Sequence, residues 1–399
     1  MLFFPALLLS ASMASTARAV TLFATAGDGN LTTLSLTRST SSNASSYALS
    51  IAAVTGDCDP NGSWLSIDRA NSILYCLDRG SSSSTAGSLN SFRITGNESK
   101  RELELISRVD VPPSGYVDLS ALILSFNKSA IALVEITDPS TGTLNPILLE
   151  TLSPTIPQPG PVVSRQDRSY SHQVLVSPDG SYVYIADLGG DFFRVFSYDL
   201  ASLAPLTQVA TLHTDPGTGP RHGVFRTRED GGLTMYFVGE LSQKVYSYAI
   251  TETRGGTVEW TKLFEVPVLG EAGELPATLA PVSEIQISPD EKFLLISSRE
   301  QSFVSSPRYQ SGPSDTIASF AINQEDESLS LIQLAPSGGY LPRQFSLNKD
   351  GSLVAVGHQT NRTVVIWERD VASGLIATEN GPLASVVLSG AVACTLWDE

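Results

Sequence analysis

Two apolar runs joined by a Pro-Asp-Gly turn make up the segment His172-Gln173-Val174-Leu175-Val176-Ser177-Pro178-Asp179-Gly180-Ser181-Tyr182-Val183-Tyr184-Ile185-Ala186-Asp187. Short apolar runs on either side of a tight turn predict a β-hairpin. The same pattern recurs along the chain at intervals of about 56 residues, which indicates a repeat architecture. The other turns are centred near Ala70, Asn127, Asp230, Asp290 and Asp350.

Each hairpin is followed by further strand-like runs, such as residues 193–198 and 206–211, so that one repeat contains four strands. Units of four strands repeated around an axis are the blades of a β-propeller, and about seven such units fit into the chain. Helical periodicity with capping residues is almost absent, which excludes the α/β classes. The sequence therefore predicts an all-β fold, a seven-bladed β-propeller with four-stranded blades.

The two ends of the chain predict how the ring closes. Strand-like runs remain at both ends, and we expect them to share the last blade, because such pairing hides the sheet edges. The Gly- and Pro-rich segments 255–280 and 302–315 are predicted to be loops, so residues 20–399 should form a single domain. The terminal runs are residues 21–25, 31–36, 49–54 and 392–397.

Acidic residues outnumber basic ones, with 41 Asp and Glu against 25 Lys and Arg and a net charge of −16. This balance argues against nucleic acid and against an anionic membrane surface as partners. It is compatible with a basic pocket of limited size. After the N-terminal segment no apolar run reaches the length of a membrane-spanning helix. The oligomeric state stays open, and a monomer is compatible with these features.

The N-terminus indicates secretion. An apolar run from Leu2 to Leu9 precedes Ala17-Arg18-Ala19, a small-x-small cleavage pattern. We expect residues 1–19 to be a signal peptide and the mature protein to be extracellular. Asn-x-Ser/Thr sequons would then be open to glycosylation. They begin at Asn30, Asn43, Asn61, Asn97, Asn127 and Asn361.

The three cysteines cannot all pair within one chain. In an oxidising compartment the close pair, Cys58 and Cys76, is the predicted disulfide, because the hairpin between them brings both to the same edge. Cys394 is then expected to be a buried thiol.

Polar residues at the hairpin ends predict one functional rim. Residues equidistant from the turn of an antiparallel hairpin lie side by side, so the start of the first strand meets the end of the second. Four consecutive hairpins thus direct polar, mostly charged side chains to the same end of the central channel. The predicted pairs are His172/Asp187, Arg221/Glu240, Glu284/Arg299 and Arg343/Gln359, and Arg79, after the first complete hairpin, faces the same rim.

Several motifs line this rim: Ser171-His172, Gly219-Pro220-Arg221-His222, Val238-Gly239-Glu240, Ser283-Glu284-Ile285 with Ser297-Ser298-Arg299, and Pro342-Arg343-Gln344-Phe345 with Gly357-His358-Gln359. Together they resemble the lactonase, seven-bladed β-propeller family, which includes 6-phosphogluconolactonases and fungal 3-carboxy-cis,cis-muconate cyclases. The resemblance covers nearly the whole mature chain. In the cyclase branch the active-site set is a His, an Arg, a Glu and a second Arg, which the motifs match to His172, Arg221, Glu240 and Arg299.

The residue types at the rim suit lactone chemistry. His172 and Glu240 are candidates for the acid and the base. Arginines bind a carboxylate or phosphate bidentately and stabilise an oxyanion, which makes Arg221 and Arg299 the further catalytic candidates. The alternative is a structural ion pair between Glu240 and Arg221. The substrate-binding candidates are Arg343, His222, Glu284, Gln359, Asp187 and Arg79.

Three functions are compatible with the sequence. The first is a lactonase that hydrolyses a small anionic sugar-acid lactone. The second is a cycloisomerase like the carboxymuconate cyclases, in which the substrate's own carboxylate is the nucleophile. The third is a non-catalytic propeller that binds a partner. No cofactor is expected, and no metal, because the histidines lack the spacing of metal ligands.

Overall fold

The computed structural model describes residues 18–41, 44–58, 60–80, 86–97, 100–112, 116–117, 122–125, 130–145, 150–197, 206–252, 256–270, 281–303 and 314–399. Within these ranges the chain forms seven four-stranded antiparallel sheets, one two-stranded sheet and one short helix.

Strands follow one another along the described part of the chain, interrupted by a single short helix. The first ten strands are β1 (Arg18–Ala26), β2 (Leu31–Ser41), β3 (Ala44–Thr55), β4 (Gly62–Asp68), β5 (Ile73–Asp78), β6 (Gly87–Asn97), β7 (Lys100–Val111), β8 (Tyr116–Val117), β9 (Leu122–Ser125) and β10 (Ala130–Leu133). Next come β11 (Ile136–Asp138), β12 (Thr143–Leu144), β13 (Glu150–Leu152), α1 (Val163–Gln166), β14 (Ser171–Val176), β15 (Tyr182–Asp187), β16 (Phe192–Ser197), β17 (Thr207–His213), β18 (Pro220–Thr227), β19 (Leu233–Gly239) and β20 (Lys244–Glu252). The last are β21 (Val258–Pro267), β22 (Val282–Ile287), β23 (Phe293–Phe303), β24 (Ser314–Ile322), β25 (Leu329–Pro336), β26 (Pro342–Leu347), β27 (Leu353–His358), β28 (Thr363–Glu368), β29 (Ala384–Val387) and β30 (Val392–Trp397).

Most sheets contain four consecutive strands, namely β4–β7, β14–β17, β18–β21, β22–β25 and β26–β29. One sheet is built from β8, β9, β10 and β13, with the separate pair β11–β12 between its last two strands. The remaining sheet combines the ends of the chain: β30 pairs with β1, and Leu22 lies opposite Trp397.

The sheets are arranged in a ring. The innermost strands β30, β4, β8, β14, β18, β22 and β26 contact one another in this order, and β26 contacts β30 again. Radially arranged antiparallel sheets of this kind form a β-propeller, so the prediction of an all-β propeller fold is confirmed.

The core lies between neighbouring sheets. Tyr236 and Val238 of β19 pack with Leu294, Ile296 and Phe320 of the next sheet, and all five side chains are buried. Burial of one such side chain stabilises the fold by about 1.5–3 kcal/mol. The alternation of apolar and small residues in the repeats therefore supplies one apolar layer for each pair of neighbouring sheets.

The prediction of a loop at residues 255–280 is partly wrong. β21 occupies Val258–Pro267 within this segment and is the outer strand of its sheet. Val258 is buried, Trp260 and residues 264–267 are half-buried, and Glu259 and residues 261–263 are exposed. An outer strand faces solvent on much of its surface, and its polar composition resembles that of a loop.

β-Bulges change the register that hairpin arithmetic predicts. The pairing of β14 with β15 shifts between Ser171 and Gln173, so that His172 is the extra residue. Arg221 of β18, Glu284 of β22 and Arg343 of β26 lie within corresponding shifts. The predicted side-by-side pairs are therefore wrong by one to three residues: Asp187 lies opposite Ser171, and the N–H groups of Glu240, Arg299 and Gln359 donate to the carbonyls of Gly219, Pro281 and Leu341. The observed pairs are Ser171–Asp187, Pro220–Gly239, Val282–Ser298 and Pro342–His358.

The cysteines are arranged as predicted. Cys58 and Cys76 form a disulfide with a Cα–Cα distance of 6.1 Å, and Cys394 is a buried free thiol. Burial raises the pKa of the Cys394 thiol well above its usual range, so this side chain is a small apolar group of the core.

The described part of the chain contains no helix long and apolar enough to cross a membrane. Residues 1–17 of the expected signal peptide lie outside the described ranges, and its last two residues, Arg18 and Ala19, begin β1. Among the sequons, those at Asn43 and Asn127 also lie outside these ranges. The side chains of Asn97 and Asn361 are exposed, and those of Asn30 and Asn61 are half-buried.

Candidate active site

Glu240 is the centre of a charged cluster at the end of the channel where β18 begins. It directly follows β19, and its backbone N–H donates to the carbonyl of Gly219 at 2.8 Å. Gly219 has a φ of +58°, and a Cβ there would meet Leu241 at 2.5 Å, so only glycine fits. The Asp191 carboxylate fixes the same loop by accepting the N–H groups of Gly217 and Gly219 at 2.6 and 2.7 Å.

Three arginines from different elements surround the Glu240 carboxylate. Arg221 Nε donates to Oε2 at 2.6 Å, and Arg165 Nη2 donates to Oε1 at 2.5 Å. Arg299 Nη2 lies 3.6 Å from Oε2. Arg221 also donates from Nη1 to the Ser283 carbonyl at 2.7 Å, which ties β18 to β22. The predicted partners of Glu240 are therefore close together, although the register that predicted them is not the observed one.

Arg165 is the member of this cluster that the sequence did not reveal. It lies on α1, and α1 is held by the fully buried side chain of Gln166. Gln166 accepts the N–H of Val162 at 3.1 Å and donates to the carbonyl of Leu188 at 3.1 Å. The local signal was weak: a basic residue next to an amide in a Pro- and Gly-rich segment outside the repeat.

His172 lies beside the cluster, with Nε2 at 3.9 Å from Glu240 Oε2. Its side chain is almost completely buried at the inner end of β14. Burial and the charges of the nearby arginines, Arg221 first among them, lower its pKa well below the usual range. The imidazole is therefore neutral at physiological pH and has the electronic form of a base.

A second histidine packs against the first. The rings of His172 and His222 meet edge to face with centroids 5.1 Å apart, and His222 Nδ1 lies 3.0 Å from Glu284 Oε2. Burial lowers the pKa of His222 to about 4, although Glu284 acts in the opposite direction. The neutral ring can donate its Nδ1–H to Glu284, which fixes its orientation. Trp64 meets His222 from across the channel at 5.7 Å, and this aromatic contact was also not foreseen.

Positive charges outnumber negative charges in the cluster around Glu240. Burial alone would raise the pKa of Glu240, but Arg299, Arg221 and Arg165 outweigh burial and lower it. Arg343 adds another positive charge, because it lowers the pKa of both His172 and His222. Four guanidinium groups thus stand against the carboxylates of Glu240 and Glu284. This excess of positive charge, in a chain of net charge −16, is suited to an anion.

The other predicted residues lie further from Glu240. Asp187 is fully buried, and its carboxylate binds Arg194 at 2.9 Å, Ser169 at 2.6 Å and the N–H of Tyr170 at 2.9 Å. Its role is therefore to hold the loop before β14, and the structure does not bring it to Glu240. Arg79 follows β5 and Gln359 follows β27. Both are half-buried.

A cavity of about 770 Å³ lies at the opposite end of the hairpins, near the β26–β27 turn. Basic and acidic residues are mixed there, Arg69 and Lys349 with Asp350 and Glu399 among them. It shares no residue with the cluster around Glu240. Within the described ranges no group of three or more His, Cys, Asp or Glu side chains could hold a metal ion.

Known proteins resemble this chain over most of its length. Residues 20–387 match the family model "Lactonase, 7-bladed beta-propeller". A "6-phosphogluconolactonase" of Formosa agariphila is 28% identical over 324 residues, which are 79% of this chain and 83% of that protein. A "Probable 6-phosphogluconolactonase" of Arthroderma benhamiae is 27% identical over 323 residues, 79% of this chain and 76% of that protein. The solved structure of a periplasmic gluconolactonase from Pseudomonas aeruginosa superposes with a TM-score of 0.71 at 22% identity, covering 95% of this chain and 99% of that one.

Proposed function

This chain belongs to the lactonase, seven-bladed β-propeller family, and on that basis we propose that it is a secreted enzyme that hydrolyses a small anionic lactone of the sugar-acid type. We assign each of the seven four-stranded sheets to one blade, with the sheet of β1–β3 and β30 as the blade that closes the ring. Secretion is part of the proposal and is supported by the N-terminal cleavage pattern and by the Cys58–Cys76 disulfide.

The observation that carries the proposal is the excess of positive charge around Glu240 and His172. Arg165, Arg221 and Arg299 converge on one carboxylate, and their combined charge exceeds what Glu240 neutralises. A guanidinium can bind the anionic group of a substrate or the oxyanion that forms when water attacks an ester carbonyl. The buried neutral imidazole of His172 and the carboxylate of Glu240 are the two candidate bases beside them.

In the proposed reaction a water molecule attacks the lactone carbonyl while His172 or Glu240 takes a proton from it. Arg299 stabilises the oxyanion, and Arg343 is one of the guanidinium groups that bind the anionic group of the substrate. Collapse of the tetrahedral intermediate breaks the ring ester bond, and the ring oxygen receives a proton from the group that was protonated in the first step. Arg221 holds Glu240 in place, and Glu284 and His222 hold the ring of His172.

We expect the purified protein to hydrolyse 6-phosphogluconolactone faster than the neutral gluconolactone, because only the former offers an anion to the cluster. Hydrolysis in ¹⁸O-labelled water should place one labelled oxygen in the product carboxylate. Protein collected from the culture medium should begin at Val20. The double variant His172→Ala/Glu240→Gln, which removes both candidate bases, serves as the matched control for spontaneous hydrolysis of the lactones.

Two results would contradict this proposal. Conversion of 3-carboxy-cis,cis-muconate to a lactone without solvent oxygen, and no lactone hydrolysis, would identify a cycloisomerase. A wild-type rate equal to that of the double variant His172→Ala/Glu240→Gln on every substrate would leave a propeller that only binds its ligand.

A further inference from the structure

Arg165 differs from the other arginines of the cluster in how much of its hydrogen-bonding capacity is used. A guanidinium carries five N–H donors. Within the described ranges, the side chain of Arg165 makes a single hydrogen bond, from Nη2 to Glu240 Oε1. Its backbone N–H is satisfied separately by the carbonyl of Val162 at 2.8 Å. The remaining donors of the guanidinium are therefore available to a further acceptor.

Exposure separates the three arginines in the same way. The Arg165 side chain is 27% exposed, that of Arg299 is 16% exposed and that of Arg221 is 1% exposed. Arg221 is also fixed to the Ser283 carbonyl, and Arg299 to the carbonyls of Pro281 and Val282 at 3.3 and 3.4 Å. A molecule that arrives from solvent therefore reaches the unused N–H donors of Arg165 before it reaches Arg221.

The backbone of Arg165 is held in place, although its guanidinium is partly exposed. Gln166 anchors α1 from the buried side, and the N–H of Gly160 donates to the Gln166 carbonyl at 2.9 Å. Side-chain torsions alone can then swing the guanidinium between two acceptors without moving the backbone. Because the side chain starts from a rigid element, little additional ordering is needed when it changes partner.

We propose that Arg165 is a specificity-determining residue that exchanges partners, holding Glu240 in the free protein and binding the anionic group of the substrate in the complex. This inference rests on the proposed function, because it assumes an anionic lactone at this end of the channel. The exchange has two consequences: neutral lactones are bound less well, and Glu240 loses one of its hydrogen-bond donors when the substrate is bound.

The second consequence bears on catalysis. The groups that face Glu240 are Arg165 of α1, Arg221 of β18, Arg299 of β23 and His172 of β14. With all three arginines in place Glu240 is a weak base, since they lower its pKa. Removal of the bond from Arg165 raises the pKa of Glu240 and makes the carboxylate a stronger proton acceptor. Glu240 is therefore a stronger proton acceptor when the anionic substrate is present.

The experiment compares Arg165→Gln with the matched control Arg168→Gln. Arg168 lies three residues further along the same loop and carries the same charge, but its guanidinium is exposed and stacks on Tyr170 at 5.1 Å. We expect Arg165→Gln to lower kcat/KM for 6-phosphogluconolactone by roughly 10- to 100-fold, mainly through KM, as for the loss of one charge-assisted hydrogen bond. For neutral gluconolactone kcat/KM should change by less than about threefold. The acid limb of the pH profile of Arg165→Gln should move to higher pH, because the pKa of Glu240 rises in this variant.

A binding measurement makes the test independent of turnover. Inorganic sulfate stays doubly charged throughout the accessible pH range, and calorimetry should show that Arg165→Gln weakens its binding by roughly tenfold or more, whereas Arg168→Gln does not. Equal effects on both lactones, no effect on either, or equal effects of the two variants would overturn the exchange. If the wild type hydrolyses no lactone, the proposed function fails, and the sulfate measurement alone tests whether Arg165 binds anions. Sulfate binding by Arg165→Gln as tight as that of the wild type would then overturn the anion-binding role of Arg165 as well.

Discussion

Arg221 and Arg299 both face Glu240, but their burial gives them different roles. Arg221 is enclosed and bridges Glu240 and the Ser283 carbonyl, whereas Arg299 is partly open to the channel and lies 3.6 Å from the carboxylate. Removal of one partner of a buried ion pair leaves the other charge without compensation, which makes the loss large. The burial of each arginine therefore predicts whether its removal mainly lowers the free energy of unfolding or mainly lowers kcat.

We expect Arg221→Ala to reduce the free energy of unfolding by about 3 kcal/mol, at the low end for a buried pair because two arginines still face Glu240. Arg299→Ala should reduce it by about 1 kcal/mol or less and should lower kcat, since the proposed function gives its guanidinium the role of stabilising the oxyanion. Urea denaturation and steady-state kinetics on both variants test this pair. Equal stability losses would mean that burial does not distinguish the two arginines.

The residues of this cluster were predictable to different degrees. His172, Arg221 and Arg343 start equivalent strands of a repeat, so their common location follows from the sequence alone. Asp187 ends the second strand of the His172 hairpin and was expected to bind substrate, yet its carboxylate binds Arg194. Arg165 lies in a loop without a counterpart in the other repeats. No periodic pattern could reveal it, because its contact with Glu240 depends on how the loop folds back.

At the scale of elements, the β-bulge explains why the predicted residues lie at one end of the channel although the predicted register is not the observed one. One extra residue on the first strand leaves that residue without a ladder partner and turns its side chain away from the regular alternation. In β14, β18 and β26 this extra residue is His172, Arg221 and Arg343. A bulge has no compositional signature in these strands, so sequence could place the rim but could not predict the shift.

The disulfide gives a prediction for one element. Cys58 and Cys76 are separated by 18 residues and connect the segment before β4 to β5. We expect the double variant Cys58→Ser/Cys76→Ser to lose about 3 kcal/mol of unfolding free energy, because the unfolded chain gains the freedom of an open loop. Chemical denaturation with and without a reductant measures this. Cys394→Ala is the control, and its stability difference between the two conditions should equal that of the wild type.

For the whole molecule, repetition made the fold predictable. Each repeat supplies a sheet whose apolar faces are covered only by its neighbours, so the ring is required by burial. The repeats in the sequence were sufficient to predict the class of fold and the end of the channel at which the charged residues lie. The bounds of the outer strands were less accessible to prediction, as β21 shows, because an outer strand and a polar loop have similar compositions.

The propeller also buries three histidines whose pKa values are lowered by burial. His222 and His358 are lowered to about 4, and His172 falls well below its usual range. In the unfolded chain these side chains titrate near pH 6.5. Between about pH 6.5 and 4 the unfolded state therefore binds more protons than the folded state, and the folded state loses stability as the pH falls. Glu240, whose pKa is also lowered, adds a similar loss only at more acidic pH, below the usual glutamate pKa of 4.5.

We expect the free energy of unfolding to fall steeply from pH 6.5 to pH 4.5, with a slope of about 1.4 kcal/mol per pH unit for each of the three histidines. Urea denaturation at half-unit steps measures this slope. His358→Gln provides an internal test, because glutamine can hydrogen-bond to Ser337 and Thr363 as His358 does but takes up no proton on unfolding. Its slope should be lower by the equivalent of one proton. A slope unchanged in this variant would mean that His358 is already protonated in the folded protein, and a flat profile of the wild type would mean that none of the three histidines is held neutral.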